Sequence, residues 1–219
     1  MNTKEYILNE IEALTLESSL KSVQNIFQRL PITHIPIVEK GKLIGCISES
    51  YSNTIEDDAY AISEYSNLIE LFFADKNIAI LNLIKLFSDN ESNLMPVIND
   101  KKQYLGYYEL NDILDLFCSS PFIFSDGIII NIEKNKKDFS TSEVSQIVES
   151  NDGEILGIYI SSNLGDKKQA IIKISSDDIN EIIQTFRRYD YIVMSEHEDD
   201  FYLQDLKERS DYLQKYLNM

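Results

Sequence analysis

The apolar positions of this chain switch repeatedly between helical spacing and short strand-like runs. Ile7, Leu8, Ile11 and Leu14 predict a helix over residues 5–16. Leu20, Val23, Ile26, Phe27 and Leu30 make a second helical face, capped from Glu17-Ser18-Ser19 and ended by Pro31, whose ring cannot continue an α-turn. Residues 34–48 then read as two strands joined by a tight connection: an apolar run opened by proline, a polar turn, and a second apolar run carrying Gly45.

That pattern is written twice. Residues 94–109 repeat the strand pair, with Pro96 sixty positions after Pro36. At the same offset Leu20, Val23, Ile26 and Phe27 fall on Ile80, Leu83, Leu86 and Phe87. Gly45 matches Gly106 at sixty-one, the extra residue lying in the turn, where insertions are tolerated. Two apolar helices match by chance often, but a proline and a glycine seldom join them, so the pattern is an internal duplication of βαββ units that pack face to face. Residues 51–65, acidic around Glu56, Asp57 and Asp58, read as a short helix and a loop. Residues 111–117 read as the matching helix of the second copy, with Ile113, Leu114 and Phe117 inward.

Cys118-Ser119-Ser120-Pro121 breaks the pattern, and the order changes after it. A buried strand at 128–132 is followed by a helix with a capping-box start at residues 139–143. Strands at 155–160 and 170–174, a helix bearing Ile179, Ile182, Ile183 and Phe186, and a strand at 191–194 complete a βαββαβ series, the ferredoxin-like arrangement. A terminal helix with Leu203, Leu206, Leu213 and Leu217 on one stripe ends the chain. The expected class is α+β, with a duplicated pair over 1–121 (repeats about 12–66 and 67–121), a second domain over 122–197 and the helix over 198–219.

Charge narrows the partners. Thirty-seven Asp and Glu against twenty Lys and Arg give a formal −17, a field that repels phosphate backbones and anionic lipid and argues against nucleic-acid binding. It reads first as solubility and second as a surface for a basic partner. No stretch reaches the roughly 20 uncharged apolar residues of a membrane span, and the start of the chain lacks signal-peptide features. Cys46 and Cys118 read as small core residues of a reduced, cytoplasmic protein. There is no phosphate loop, zinc helix or nucleophile elbow, so an enzyme is the poorer reading. His197 beside Glu198, Asp199 and Asp200 reads as an acidic helix start rather than a metal site, because consecutive residues cannot converge on one ion.

The (His/Leu)-x-Pro-(Ile/Val) strand and the Gly-x-x-(Ser/Thr)-x-x-Asp turn of the repeated unit resemble a tandem pair of cystathionine β-synthase (CBS) domains. Gly127 to Glu196 resembles an appended ACT domain, and the combination with its Tyr-rich tail is similar to bacterial CBS–ACT proteins of the acetoin-utilisation type. The resemblance implies a non-catalytic, ligand-sensing regulatory protein. Its CBS clefts would take an adenine nucleotide such as AMP, ADP or ATP, and it would assemble as a homodimer through an apolar helical face or the terminal leucine stripe. A scaffold or interaction module with degenerate clefts, engaging a protein partner, is the alternative.

In that family the turn hydroxyl holds phosphate and the Asp three residues later holds ribose. The first copy has Ser48 but Tyr51 in place of the Asp, and the second has Asp112 but Glu109 in place of the hydroxyl. His34 and Pro36 open the strand beside the first turn, His34 reading foremost as a structural histidine; Ser48 and Asp112 read equally as helix caps. A carboxylate at about 4 Å from a phosphate costs on the order of 4 kcal/mol at an effective dielectric near 20, nearly three decades of affinity. Each expected site thus keeps half of its pair. The second domain also lacks a glycine where its first strand meets its first helix, at Lys137-Asp138-Phe139-Ser140, so the usual amino-acid loop of an ACT domain is incomplete.

Overall fold

The computed structural model describes residues 2–55, 60–194 and Tyr212. The stripe of Leu203, Leu206, Leu213 and Leu217, the acidic run from His197, and Glu56 to Asp58 lie outside the described residues. The chain divides into two compact units, Met1–Ser119 and Ser120–Met219.

In the first unit the duplication is visible in backbone and core. Helix α1 (Leu20–Arg29) and strands β1 (His34–Glu39) and β2 (Lys42–Ser48) recur as α3 (Ile80–Asp89), β5 (Leu94–Ile98) and β6 (Tyr104–Glu109). Ser19 Oγ accepts from the Ser22 amide at the start of α1, and the helix ends at Leu30, before Pro31. Both strand pairs shift register by one residue beside the glycine, between Ile37 and Val38 and between Val97 and Ile98. The glycines are there because another backbone passes over them. A Cβ on Gly45 would stand 2.7 Å from the Glu70 carbonyl oxygen, and one on Gly106 2.1 Å from that of Leu8.

Those passing backbones correct one sequence expectation. Residues 5–16 are not a helix; only Thr3–Tyr6 makes a 3-10 turn. Leu8 exchanges hydrogen bonds with Tyr107 on β6 (2.8 and 2.9 Å), and Leu14 bonds to the carbonyl of Pro36 and the amide of Val38 (3.1 and 2.7 Å). The second copy does the same: β3 (Ile69–Glu70) lies antiparallel on β2, and β4 (Ala74–Asp75) runs parallel to β5. Each leader therefore pairs first with the other copy's sheet and then with its own. Exposed strand edges supply unpaired backbone groups, and satisfying them outweighs a helical spacing of only four apolar residues.

The cores are shared accordingly. Leu94 and Tyr107 of the second copy lie in the cluster of Leu20, Val23, Ile35 and Ile47, while Cys46 of the first lies with Leu83, Met95, Val97 and Tyr108. Burial on both faces explains why these strands read as continuous apolar runs. The helices after the strand pairs differ: α2 (Glu49–Ser52) is a single turn, whereas α4 (Leu110–Cys118) has nine residues. On α4 Ile113 is buried, Phe117 half-buried, and Leu114 and Cys118 exposed. The inward reading of Leu114 and the core reading of Cys118 are thus corrected, because α4 sends only Ile113 fully into the core, beside Leu83, Met95 and Tyr108.

The second unit opens with α5 (Pro121–Phe124) and continues β7 (Ile128–Asn135), α6 (Thr141–Glu149), β8 (Glu154–Ser162), β9 (Lys167–Ser175), α7 (Ile179–Arg188) and β10 (Ile192–Val193). The sheet order β10-β7-β9-β8, antiparallel throughout, is that of a ferredoxin-like βαββαβ unit. Its core joins Ile130, Ile132, Ile172 and Ile174 to Val144, Ile183 and Phe186. Ile129, on the opposite face, is half exposed rather than buried, as alternation in a one-sided sheet requires.

Candidate functional site: two acidic clefts

Two clefts in the first unit are related by the duplication. One, of about 470 Å³, lies between the turn at Ser48 to Tyr51 and the end of α3 at Asp89 to Glu91. The other, of about 630 Å³, lies between the turn at Glu109 to Asn111 and the end of α1 at Arg29 to Pro31. Each is walled by the strand-to-helix turn of one copy and the helix end of the other. Thr33 and Asn93, sixty positions apart, form the partition, one lining each cleft. Asn93 Oδ1 accepts from the Thr33 amide (2.8 Å) and hydroxyl (3.1 Å), and Thr33 Oγ1 accepts from the Asn93 amide (3.0 Å). Equivalent residues can bond each other only at a local two-fold.

The expected site residues separate between these clefts. His34, Ser48 and Tyr51 line the first, and Glu109 lines the second. Asp112 stands in the first turn of α4, near enough for its charge to act on Glu109. Pro36 lines neither: it is buried in β1 opposite Cys46.

Ser48 Oγ accepts from the Tyr51 amide (3.3 Å) and shares a hydrogen with Ser50 Oγ (3.2 Å), so it caps α2. His34 is buried, its Nδ1 2.9 Å from Thr33 Oγ1 and its ring edge-on to Phe72. Burial lowers its pKa to about 4, so it is neutral at pH 7. Glu109 is pushed up, first by burial and then by the charges of Asp112 and Glu10.

Residues that the sequence did not single out decide the electrostatics. The first cleft carries Glu49, Glu70, Asp89 and Glu91, with no Lys or Arg among its lining residues. The second carries Glu10, Glu12 and Glu109 around one cation, Arg29, over an apolar floor including Ile11, Ile26 and Ile32. Two of these contributors could be found from the duplication alone, since Arg29 and Asp89 are sixty apart; the crossing of each wall to the other copy was not visible. Among the described residues no group of three or more His, Cys, Asp and Glu is arranged to hold a metal ion.

Residues 4–50 match the CBS-domain family model. No curated protein matches the sequence. Similar solved structures include a CBS domain pair/ACT domain protein from Thermotoga maritima, at 15% identity over 53% of this chain and 96% of that one, TM-score 0.47. The CBS domains of a transcriptional regulator from Streptococcus pneumoniae align at 12% identity over 52% and 98%, TM-score 0.46. The cytosolic domain of the Mg2+ channel MgtE, in complex with ATP, aligns at 18% over 51% and 46%, TM-score 0.43. With scores below 0.5 these likenesses carry no functional inference.

In the second unit the strand-to-helix connection that would be a ligand loop in an ACT domain is filled by side chains. Phe139 packs edge-on against Tyr191, whose hydroxyl donates to the Ser140 carbonyl (3.3 Å). Lys134 sits over the Tyr191 ring and pairs with Glu143 at 2.7 Å.

Proposed function

We propose that the first unit is a CBS-domain pair acting as a non-catalytic, ligand-sensing regulatory module. The observation that carries this reading is the pair of two-fold-related clefts, each built from both copies, together with the family match at residues 4–50. A ligand in either cleft touches a turn of one copy and a helix end of the other, so binding couples to how the copies sit on each other. The βαββαβ order of the second unit supports an ACT domain as the accompanying element, in a cytoplasmic homodimer. Leu81 and Leu114, exposed on α3 and α4, supply an apolar helical face for that dimer, which light scattering at micromolar concentration tests.

Adenine nucleotides are the reference ligands, and the cleft charges make them weak ones. AMP, ADP and ATP should bind weakly or not at all by calorimetry, with adenosine less affected. Glu109→Thr should strengthen binding of charged nucleotides more than Tyr51→Asp, because it removes a carboxylate from the phosphate end rather than adding one hydrogen bond. Tight ATP binding indifferent to both substitutions would overturn the assignment of these turns. The acid lining of both clefts also favours a second reading, an interaction module whose clefts hold no ligand; no thermal shift with any nucleotide, nucleoside or amino acid would select it.

A further inference from the structure

We propose that the outward face of the second unit's sheet is covered by the chain's own terminal segment, residues 201–217, through its leucine stripe. The inference stands apart from the reading of the clefts as ligand sites.

Helices α6 and α7 pack on one face of this sheet, and water alone on the other face would call for polar side chains there. Here that face is largely apolar. Val193 packs into the core, so by alternation Ile192 and Met194 point the other way, and they are 52% and 44% exposed. The Met194 amide donates to the Asn131 carbonyl, Asn131 stands opposite Ile171, and Ile171 stands opposite Tyr159. That row crosses all four strands on the outward face, and Asn131 is its one polar member. Ile129 and Tyr159 are each about half exposed on the same side. One corner already takes apolar cover. Phe122 of α5 lies on Gly157, where a Cβ would stand 2.2 Å from its ring, and Lys173 Nζ donates to the Ile123 carbonyl (2.9 Å). Those four residues of α5 leave Met194, Ile129 and Tyr159 exposed.

What covers the rest is marked by where the described chain leaves off. It leaves at Met194, on the row itself, and 25 residues follow. At about 100° per residue of helix, Leu203, Leu206, Leu213 and Leu217 fall within an arc of about 80°. Tyr212 falls about 100° outside that arc. It is helical and 67% exposed, which suits a side chain turned away from a covered stripe. A helix over residues 201–217 is about 25 Å long, enough to cross four strands whose axes span about 14 Å. Residues 195–200 reach about 20 Å when extended, so the chain's own sheet lies within range of its stripe. The tether keeps the segment at a high effective concentration, whereas a second copy must approach against a formal charge of −17 on each chain.

The test is thiol labelling of the full chain carrying Tyr159→Cys, with the exposed Cys118 of the same molecule as reference. The new thiol should react slowly relative to Cys118. Adding Leu206→Asp and Leu213→Asp should raise its rate by about tenfold or more while Cys118 keeps its own, because a charged stripe no longer docks on an apolar face. Circular dichroism checks that each variant folds. Equal rates with and without the two aspartates overturn the proposal. So does protection that fades on dilution, which assigns the face to a second copy. Amide exchange of the unsubstituted chain gives a reading free of any substitution: slow exchange over residues 203–217 supports the docked segment, and exchange there at the rate of an unfolded peptide overturns it.

Discussion

His34 shows how burial holds a titratable side chain neutral, with a cost at low pH. Its pKa falls from 6.5 to about 4, so the unfolded chain takes up the proton first. The sign follows: stability is full above pH 6.5 and is lost as pH falls through about 4, by roughly 3 kcal/mol in all. Between pH 6.5 and 5 few ordinary carboxylates titrate, so urea unfolding of the first unit should lose stability with a slope that His34→Asn abolishes. Gly45 and Gly106 carry a different constraint. Alanine at Gly106 would force the Leu8 carbonyl away, and a loss on the order of 2–4 kcal/mol is expected in denaturant unfolding, with a similar loss for Gly45→Ala. Both glycines could be singled out in the sequence as punctuation. Their reason, a crossing backbone, could not.

At the scale of elements, the helices and strand pairs of the first unit follow the apolar pattern because cap, periodicity and breaker agree. Ser19, the face of Leu20, Val23 and Phe27, and Pro31 all specify the same ten residues of α1. The leader at residues 7–14 has a helical spacing but no such agreement, and it goes where hydrogen-bond partners wait. Amide exchange separates the two outcomes. Leu8, Leu14, Val38 and Tyr107 should exchange slowly, while Asn9 and Glu10, which donate no backbone bond among the described residues, should exchange quickly. A helix over 5–16 would instead protect a continuous run from Asn9 onward.

At the scale of the molecule, the leaders and the shared cores make the duplicated half one folding unit rather than two. A fragment of residues 1–119 holds all members of both core clusters of the first unit and should unfold in a single cooperative urea transition. A fragment of residues 1–66 lacks Tyr107 for Leu8, Leu94 for the first core and Asn93 for Thr33, and should be unfolded by circular dichroism. If the shorter piece folds alone, the exchange of strands and side chains between copies contributes little.

Taken by itself, the sequence determined the α+β class, the duplication, the position of each strand pair and the βαββαβ order after the break. These rest on local periodicity and on Pro and Gly, whose effects act within a few residues. Ser48, Tyr51, Glu109 and Asp112 were likewise legible as turn residues at matching positions in the two copies. Only the tertiary structure decided that Ser48 and Tyr51 line one cleft and Glu109 the other, that Asp89 to Glu91 closes one and Arg29 to Pro31 the other, and that Leu8 crosses to pair with Tyr107 on β6. The physical reason is common to all three. Which backbone fills a strand edge, and which charges face one another across a two-fold, depends on residues far apart in the chain, and no short-range pattern records that pairing.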